Sequence, residues 1–176
     1  MTLIKIVNGD LLEAKENLIV HQVNCQGKMG SGIADQVKKK WFNVYKEYKG
    51  LTDKFVESEL LGFAQIVGIG DKQAVVNLFG QNKYGYDGLR YTNYEAIYSG
   101  LERIAEVARR HNLSVAIPYN IGCDRGGANW NIIYKMIEEV FKNHTQPIVI
   151  YNLSGHIQHS FGANTPPTTA QELVFH

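Results

Sequence analysis

Cysteine is nearly absent: Cys25 and Cys123 are the two thiols in 176 residues. So few rule against a disulfide framework and make a reducing cytoplasm the expected setting. Long apolar runs are missing too. None approaches the ~20 residues that a membrane-crossing helix needs, so no membrane partner is expected. Charge of either sign is not in excess. A formal net charge of +1 gives the chain no global pull toward polyanions or anionic surfaces. No set of histidines, cysteines and acids has zinc spacing, because His111, His144, His156, His159 and His176 are scattered, and neither metal nor other cofactor is implied. Internal repeats and low-complexity tracts are also lacking. The opening residues MTLIKIVNGD have no basic start and no small-residue cleavage site, and read as a strand rather than a signal peptide.

Apolar residues make up 44% and charged residues 20%, the balance of an ordinary globular domain. A chain of this length suits one domain, able to bury roughly 70% of the surface its unfolded form exposes. Alternating or apolar segments predict strands at 3–7, 17–23, 62–69, 74–79, 114–117 and 147–152. Helical periodicity predicts a long helix over 33–48, where Ile33, Val37, Trp41, Val44 and Tyr48 share a face. Two more are predicted at 93–111, behind an N-cap at Thr92, and at 131–141. Strands alternating with helices argue for a mainly parallel α/β sandwich. Residues 1–154 form the expected domain. Residues 155–176 are polar, contain Pro166-Pro167, and read as a flexible tail with a short helix at 169–174.

The most informative stretch is 20–34, VHQVNCQGKMGSGIA. A short apolar strand enters a loop bearing Gly27, Gly30 and Gly32, and the loop opens into a helix near Ile33. Glycine lets main-chain N–H groups approach a ligand closely, and a helix N-terminus adds unpaired N–H groups that suit a phosphate. A second loop of the same kind, Gly122-Cys123-Asp124-Arg125-Gly126-Gly127, also lies between a strand and a helix. Two such loops suggest a clamp for a diphosphate. Neither is a standard nucleotide motif. A Walker loop fails because Gly27-Lys28 is followed by Met29, and a dinucleotide fingerprint fails because Asp35 stands where its last glycine belongs. A tight strand-to-helix turn without a ligand explains the first loop less well, since three glycines in six residues exceed one turn's need.

Taken in order, these elements resemble the macro domain family of ADP-ribose-binding modules. The resemblance spans residues 2–153. It rests on Gly9-Asp10-Leu11-Leu12 after the first strand, on Asn24 followed by Gly30-Ser31-Gly32-Ile33-Ala34, on Ile117-Pro118 leading to Gly122–Gly127 with Trp130 beyond, and on Tyr151-Asn152-Leu153. It implies a three-layer α/β/α sandwich with a mixed, mainly parallel six-stranded sheet. Two branches look nearest: the phosphatase acting on ADP-ribose-1″-phosphate, through Asn24-Cys25-Gln26-Gly27, and the hydrolase that removes ADP-ribose from glutamate or nucleic-acid ends.

The resemblance implies roles that compete with plainer ones. Asp10, beside Leu11, would accept a hydrogen bond from the adenine amino group, or it caps a short helix at Leu11-Leu12-Glu13. Asn24 would hold the distal ribose, or it stabilises an Asx-type turn. Main-chain groups of Gly30, Ser31, Gly32 and Ile33, and of Gly122 to Gly127, would bind the two phosphates. Tyr151 and Asn152 would flank the adenine, or Tyr151 is a core aromatic. The family's glycohydrolase branch uses a lysine just after the fourth strand, but Leu78-Phe79-Gly80-Gln81-Asn82-Lys83 puts Gly80 or Gln81 there, with Lys83 out of register. Asp124 is then the candidate general base, or a residue that caps its loop or pairs with Arg125. His21 is a candidate for titration near the distal ribose, or a hydrogen-bonded core histidine. A Cys/His hydrolase built on Cys25 or Cys123 finds no further partner for His21.

The expected function is hydrolysis of an ADP-ribose derivative at the distal ribose, first of all phosphate removal from ADP-ribose-1″-phosphate. Removal of mono-ADP-ribose from protein or nucleic acid is the alternative enzyme. A reader that binds ADP-ribose without chemistry, and a nucleotide-binding dehydrogenase, are the competing classes.

Overall fold

Strand β2 (Leu18–Asn24) has six of its seven residues buried, which places it inside a sheet covered on both faces. Around it run β1 (Ile4–Asn8), β3 (Ala64–Gly70), β4 (Gln73–Gln81), β5 (Val115–Pro118) and β6 (Ile148–Asn152). The computed structural model describes residues 4–85 and 87–153. Spatial order across the sheet is β1-β6-β5-β2-β4-β3. All pairings are parallel except β3 with β4, an antiparallel hairpin that puts β3 at the edge. The segment read as a tail, its short helix included, lies outside the described residues, as does Leu3.

Helices cover both faces. On one face, α4 (Tyr94–His111) buries Ile97, Leu101, Ile104 and Ala108, and α5 (Trp130–Val140) buries Trp130, Ile133 and Ile137. Their apolar stripes recur every three to four residues and meet Val20, Leu78, Ile117 and Ile150 from the sheet. On the other face, α1 (Gly32–Lys40), α2 (Phe42–Lys54) and the short α3 (Glu57–Leu60) contribute Val37, Val44, Tyr48 and Leu60 against Ile19, Val23, Val75 and Phe79. The result is the three-layer α/β/α sandwich with a mixed, mainly parallel sheet.

Two local expectations are corrected. The helix read as continuous over 33–48 is broken at Trp41, which leaves helical dihedrals (φ −131°, ψ 81°) between α1 and α2. The periodicity runs straight through the break, because Trp41 still faces the apolar cluster. Lys40 holds the corner: its Nζ donates to Leu12 O at 2.6 Å and to Glu13 at 3.0 Å. The second correction concerns the cap of α4. Asn93, rather than Thr92, caps it by accepting from Ala96 N–H at 2.9 Å, which frees the Thr92 hydroxyl for another task.

Candidate functional site

β2 and β5 are parallel neighbours, so both carboxyl ends reach the same edge of the sheet. From there the chain diverges. β2 leads to α1 on one face and β5 leads to α5 on the other. Neighbouring strands whose connections part in this way open a crevice between two strand-to-helix loops. A cavity of about 440 Å³ fills that crevice, a size that suits a small-molecule ligand. Gly30, Ser31, Gly32 and Ile33, at the start of α1, form one wall, with Asn24 and His21 from the end of β2. Gly122, Asp124, Arg125 and Gly126 form the opposite wall. The first turn of α1 leaves its N–H groups without helical partners on that side.

Each wall has its own fastening. In the first loop, Asn24 is the centre. Its Oδ1 accepts from Gln26 N–H (2.9 Å), Lys28 N–H (3.3 Å) and the Tyr48 hydroxyl (2.8 Å), while Nδ2 donates to Lys28 O (2.8 Å). The Asx-type role is therefore present, and one Nδ2 hydrogen is left over. In the second loop, Thr92 does the equivalent work. It donates to Gly122 O at 2.7 Å and accepts from Gln22 Nε2 at 3.0 Å, and the main-chain N–H groups of Tyr91 and Thr92 both donate to Gly126 O. Gly126 is packed so tightly that a Cβ there would fall 2.1 Å from Thr92 Oγ1 and 2.5 Å from Gly122 O.

Other expected residues sit elsewhere. Asp10 caps the 3-10 turn Leu11–Glu13 by accepting from Leu12 N–H at 2.9 Å, and Leu11 is buried. The Tyr151 hydroxyl donates to Glu16 at 2.6 Å, and its ring lies over Gly9. Asn152 is buried, and its carbonyl accepts from Gly9 N–H. These residues cluster at the ends of β1 and β6, beside the cavity but not in its wall. Cys123 and Gly127 also stay out of the lining. The Cys123 thiol turns toward Ile121 O at 3.4 Å, and burial with the charge of Asp124 pushes its pKa up to about 12. Burial raises Cys25 to about 11. Neither thiol is a thiolate at neutral pH, so the site offers no cysteine nucleophile.

His21 takes the plainer of its two expected roles, that of a hydrogen-bonded core histidine. It is 1% exposed, donates from Nε2 to Asn77 Oδ1 at 2.6 Å, and burial lowers its pKa to about 4. The desolvated ring does not readily carry charge, which moves its titration below the neutral range. The position after the fourth strand is equally informative. Gly80 stands there, and a Cβ on it would lie 2.3 Å from Gln22 Oε1 and 2.5 Å from Ile97 Cδ1, so a larger residue requires those two side-chain ends to shift. Gln81 spends its amide on Gln22 and on Lys83 O. Lining residues that the motifs did not point to include Lys28, Tyr84, Gly85, Tyr119, Asn120 and Ile121. Lys28 lay within the first loop, whereas Tyr84 and Gly85 reach the cavity from a connection with no local signature.

No profile of a known protein family matches the sequence. Over 153 residues the chain is 29% identical to proteins named DNA ADP-ribosyl glycohydrolase from Mycobacterium tuberculosis and Mycobacterium bovis, a match covering 84% of this chain. The chain spans 42% of the length of those curated relatives. A protein of unknown function from Bacteroides thetaiotaomicron shares the fold at a TM-score of 0.76 and 27% identity, covering 86% of this chain and 99% of that one. The macrodomain of Mycobacterium tuberculosis DarG shares it at 0.72 and 25% identity, covering 85% and 98%. The fold is that of a macrodomain. Its two glycine-bearing loops face one another across the crevice, and of the glycines that marked them in the sequence Gly30, Gly32, Gly122 and Gly126 line the walls, whereas Gly27 and Gly127 do not.

Proposed function

We propose that this macrodomain binds ADP-ribose and hydrolyses a bond at the anomeric carbon of its distal ribose. The observation that carries the reading is the pair of loops, Gly30–Ile33 and Gly122–Gly126, on opposite walls of one cavity. Such walls complement a pyrophosphate: each charge-assisted hydrogen bond from a main-chain amide is worth about 1.5–3 kcal/mol. Four or five, less the cost of immobilising the ligand, give affinity on the order of micromolar. Asp10, Tyr151 and Asn152, gathered beside the cavity, are the adenine end of this reading. Asn24, with its spare Nδ2 hydrogen, is at the sugar end.

Removal of ADP-ribose from a carrier is the first reading, supported by the likeness to DNA ADP-ribosyl glycohydrolases. ADP-ribosylated nucleic acid is then the substrate to try first and ADP-ribosylated protein the second. Asp124, in the second loop and in the cavity wall, is the candidate base that activates water. A different substrate, ADP-ribose-1″-phosphate, is favoured by Gly80 and Gln81, which stand at the end of β4 where the family's glycohydrolase branch has a lysine. Three assays separate the readings: release of ADP-ribose from modified DNA, release of phosphate from ADP-ribose-1″-phosphate, and calorimetry with ADP-ribose. Binding with turnover of neither substrate identifies a reader, and absence of binding rejects the proposal. Asp124→Asn should lower turnover at least about 100-fold with binding retained; unchanged turnover removes Asp124 from the role of base.

A further inference from the structure

Between Asn24 and Ala34 the sequence carries a single charge, that of Lys28. Its main chain is clasped twice by the Asn24 side chain: Lys28 N–H donates to Oδ1 at 3.3 Å, and Lys28 O accepts from Nδ2 at 2.8 Å. Gly27 and Met29 on either side are buried, whereas Lys28 is exposed and forms part of the cavity wall. The turn that presents Lys28 is therefore fixed, and its four-carbon stem is what remains free to move. Neighbouring cations are already engaged. Lys49, packed against Gly27, pairs with Asp53, and Lys39 and Lys40 of α1 pair with Asp35 and Glu13. Among the described residues Lys28 takes part in no ion pair. The opposite wall carries both signs, Asp124 and Arg125.

We infer that Lys28 is a specificity-determining residue whose ammonium binds a phosphate carried beyond the distal ribose, on the side away from the pyrophosphate. This rests on the reading of the cavity as an ADP-ribose site. In that reading Asn24 meets the distal ribose, and the two hydrogen bonds from Asn24 set Lys28 beside the same sugar rather than beside the adenine. Main-chain amides of both loops take the pyrophosphate, which leaves the lysine for a further anion. Asp124, the candidate base at the same carbon, repels such an anion, and a cation across the cavity offsets that repulsion. A compact ammonium on a flexible stem follows a phosphate over a range of positions. The anion has two sources of one chemistry: the ester of ADP-ribose-1″-phosphate, and the phosphodiester beside a modified nucleotide of nucleic acid.

The test is displacement of fluorescently labelled ADP-ribose from the full chain, read before turnover. The competitors are ADP-ribose, ADP-ribose-1″-phosphate and an ADP-ribosylated oligonucleotide, with the unmodified oligonucleotide as control. At low salt at least one phosphate-bearing ligand should bind about tenfold tighter than ADP-ribose. An advantage of the ester alone assigns the 1″-phosphate as the anion, and an advantage of the oligonucleotide alone assigns the carrier's backbone. Lys28→Met should remove the advantage while changing ADP-ribose affinity less than about threefold, and Lys28→Arg should keep most of it. In the wild type, which needs no variant, the advantage should shrink as salt rises from about 0.05 M to about 0.5 M. The inference is overturned by equal affinity for all three ligands, by an advantage that survives Lys28→Met, or by equal weakening of all three in that variant. If labelled ADP-ribose does not bind at all, the reading of the site falls and this inference falls with it.

Discussion

At the scale of single residues, burial and crowding set what each position can do. His21 is the clearest case for pH. Its ordinary pKa of 6.5 applies to the unfolded chain, and burial lowers it to about 4 in the fold. As pH falls below 6.5 the unfolded ring takes up a proton while the native ring stays neutral, so the unfolded state binds more protons and stability drops. The loss accumulates between pH 6.5 and about 4, reaches about 3 kcal/mol, and is absent above 6.5. Urea unfolding of the wild type and His21→Phe at several pH values checks this, because the variant should lose less stability over that window. Equal slopes would show that His21 is not depressed. Gly126 is the clearest case for space. A methyl group there collides with Thr92 Oγ1 and Gly122 O, so Gly126→Ala should cost about 1–3 kcal/mol and weaken ADP-ribose binding, as thermal melts and calorimetry would show. A variant that melts and binds like the wild type would mean that the second loop tolerates displacement.

At the scale of elements, the cavity depends on connections that fasten the loops more than on the loops themselves. Thr92 is buried and links the connection after β4 to both Gly122 and Gln22. Thr92→Val keeps the shape but removes two buried hydrogen bonds, leaving Gly122 O to Ala128 N–H and the Gln22 amide to Gln81. The expected result is a loss of about 1–3 kcal/mol in stability together with weaker ADP-ribose binding, measured by urea titration and calorimetry. Weaker binding with Asn93→Ala, which removes only the cap of α4, and intact binding with Thr92→Val would reverse the assignment. The sequence made the strands, α4, α5 and both glycine loops legible, since periodicity and glycine placement are local signals. The break at Trp41 was not legible, because the residue keeps its helical phase while a distant lysine contact turns the chain. Nor was the role of Thr92, whose partners Gly122 and Gln22 lie 30 and 70 residues away. The low basicity of His21 was equally hidden, because it arises from burial between β4 and the α2 face.

At the scale of the whole molecule, the question is how much chain the fold needs. The sheet closes on β6, which ends at Asn152 and pairs with both β1 and β5. Ile148 and Ile150 of that strand are fully buried against α4 and α5, so β6 cannot be shortened without opening the core. Among the described residues, every one that lines the cavity lies between His21 and Gly126, and the group beside it ends with Asn152. These facts make residues 4–153 the expected folding unit. Truncation after Leu153 should leave the melting temperature within about 2 °C of the full chain, a shift below about 0.5 kcal/mol for this size, and should leave ADP-ribose affinity unchanged. Truncation after Ile148 should abolish folding, because it removes buried Val149 and Ile150 and the pairing that holds β1 in place. A large loss of stability in the first truncation would place part of the core in the last 23 residues, and a loss of affinity alone would place part of the ligand site there.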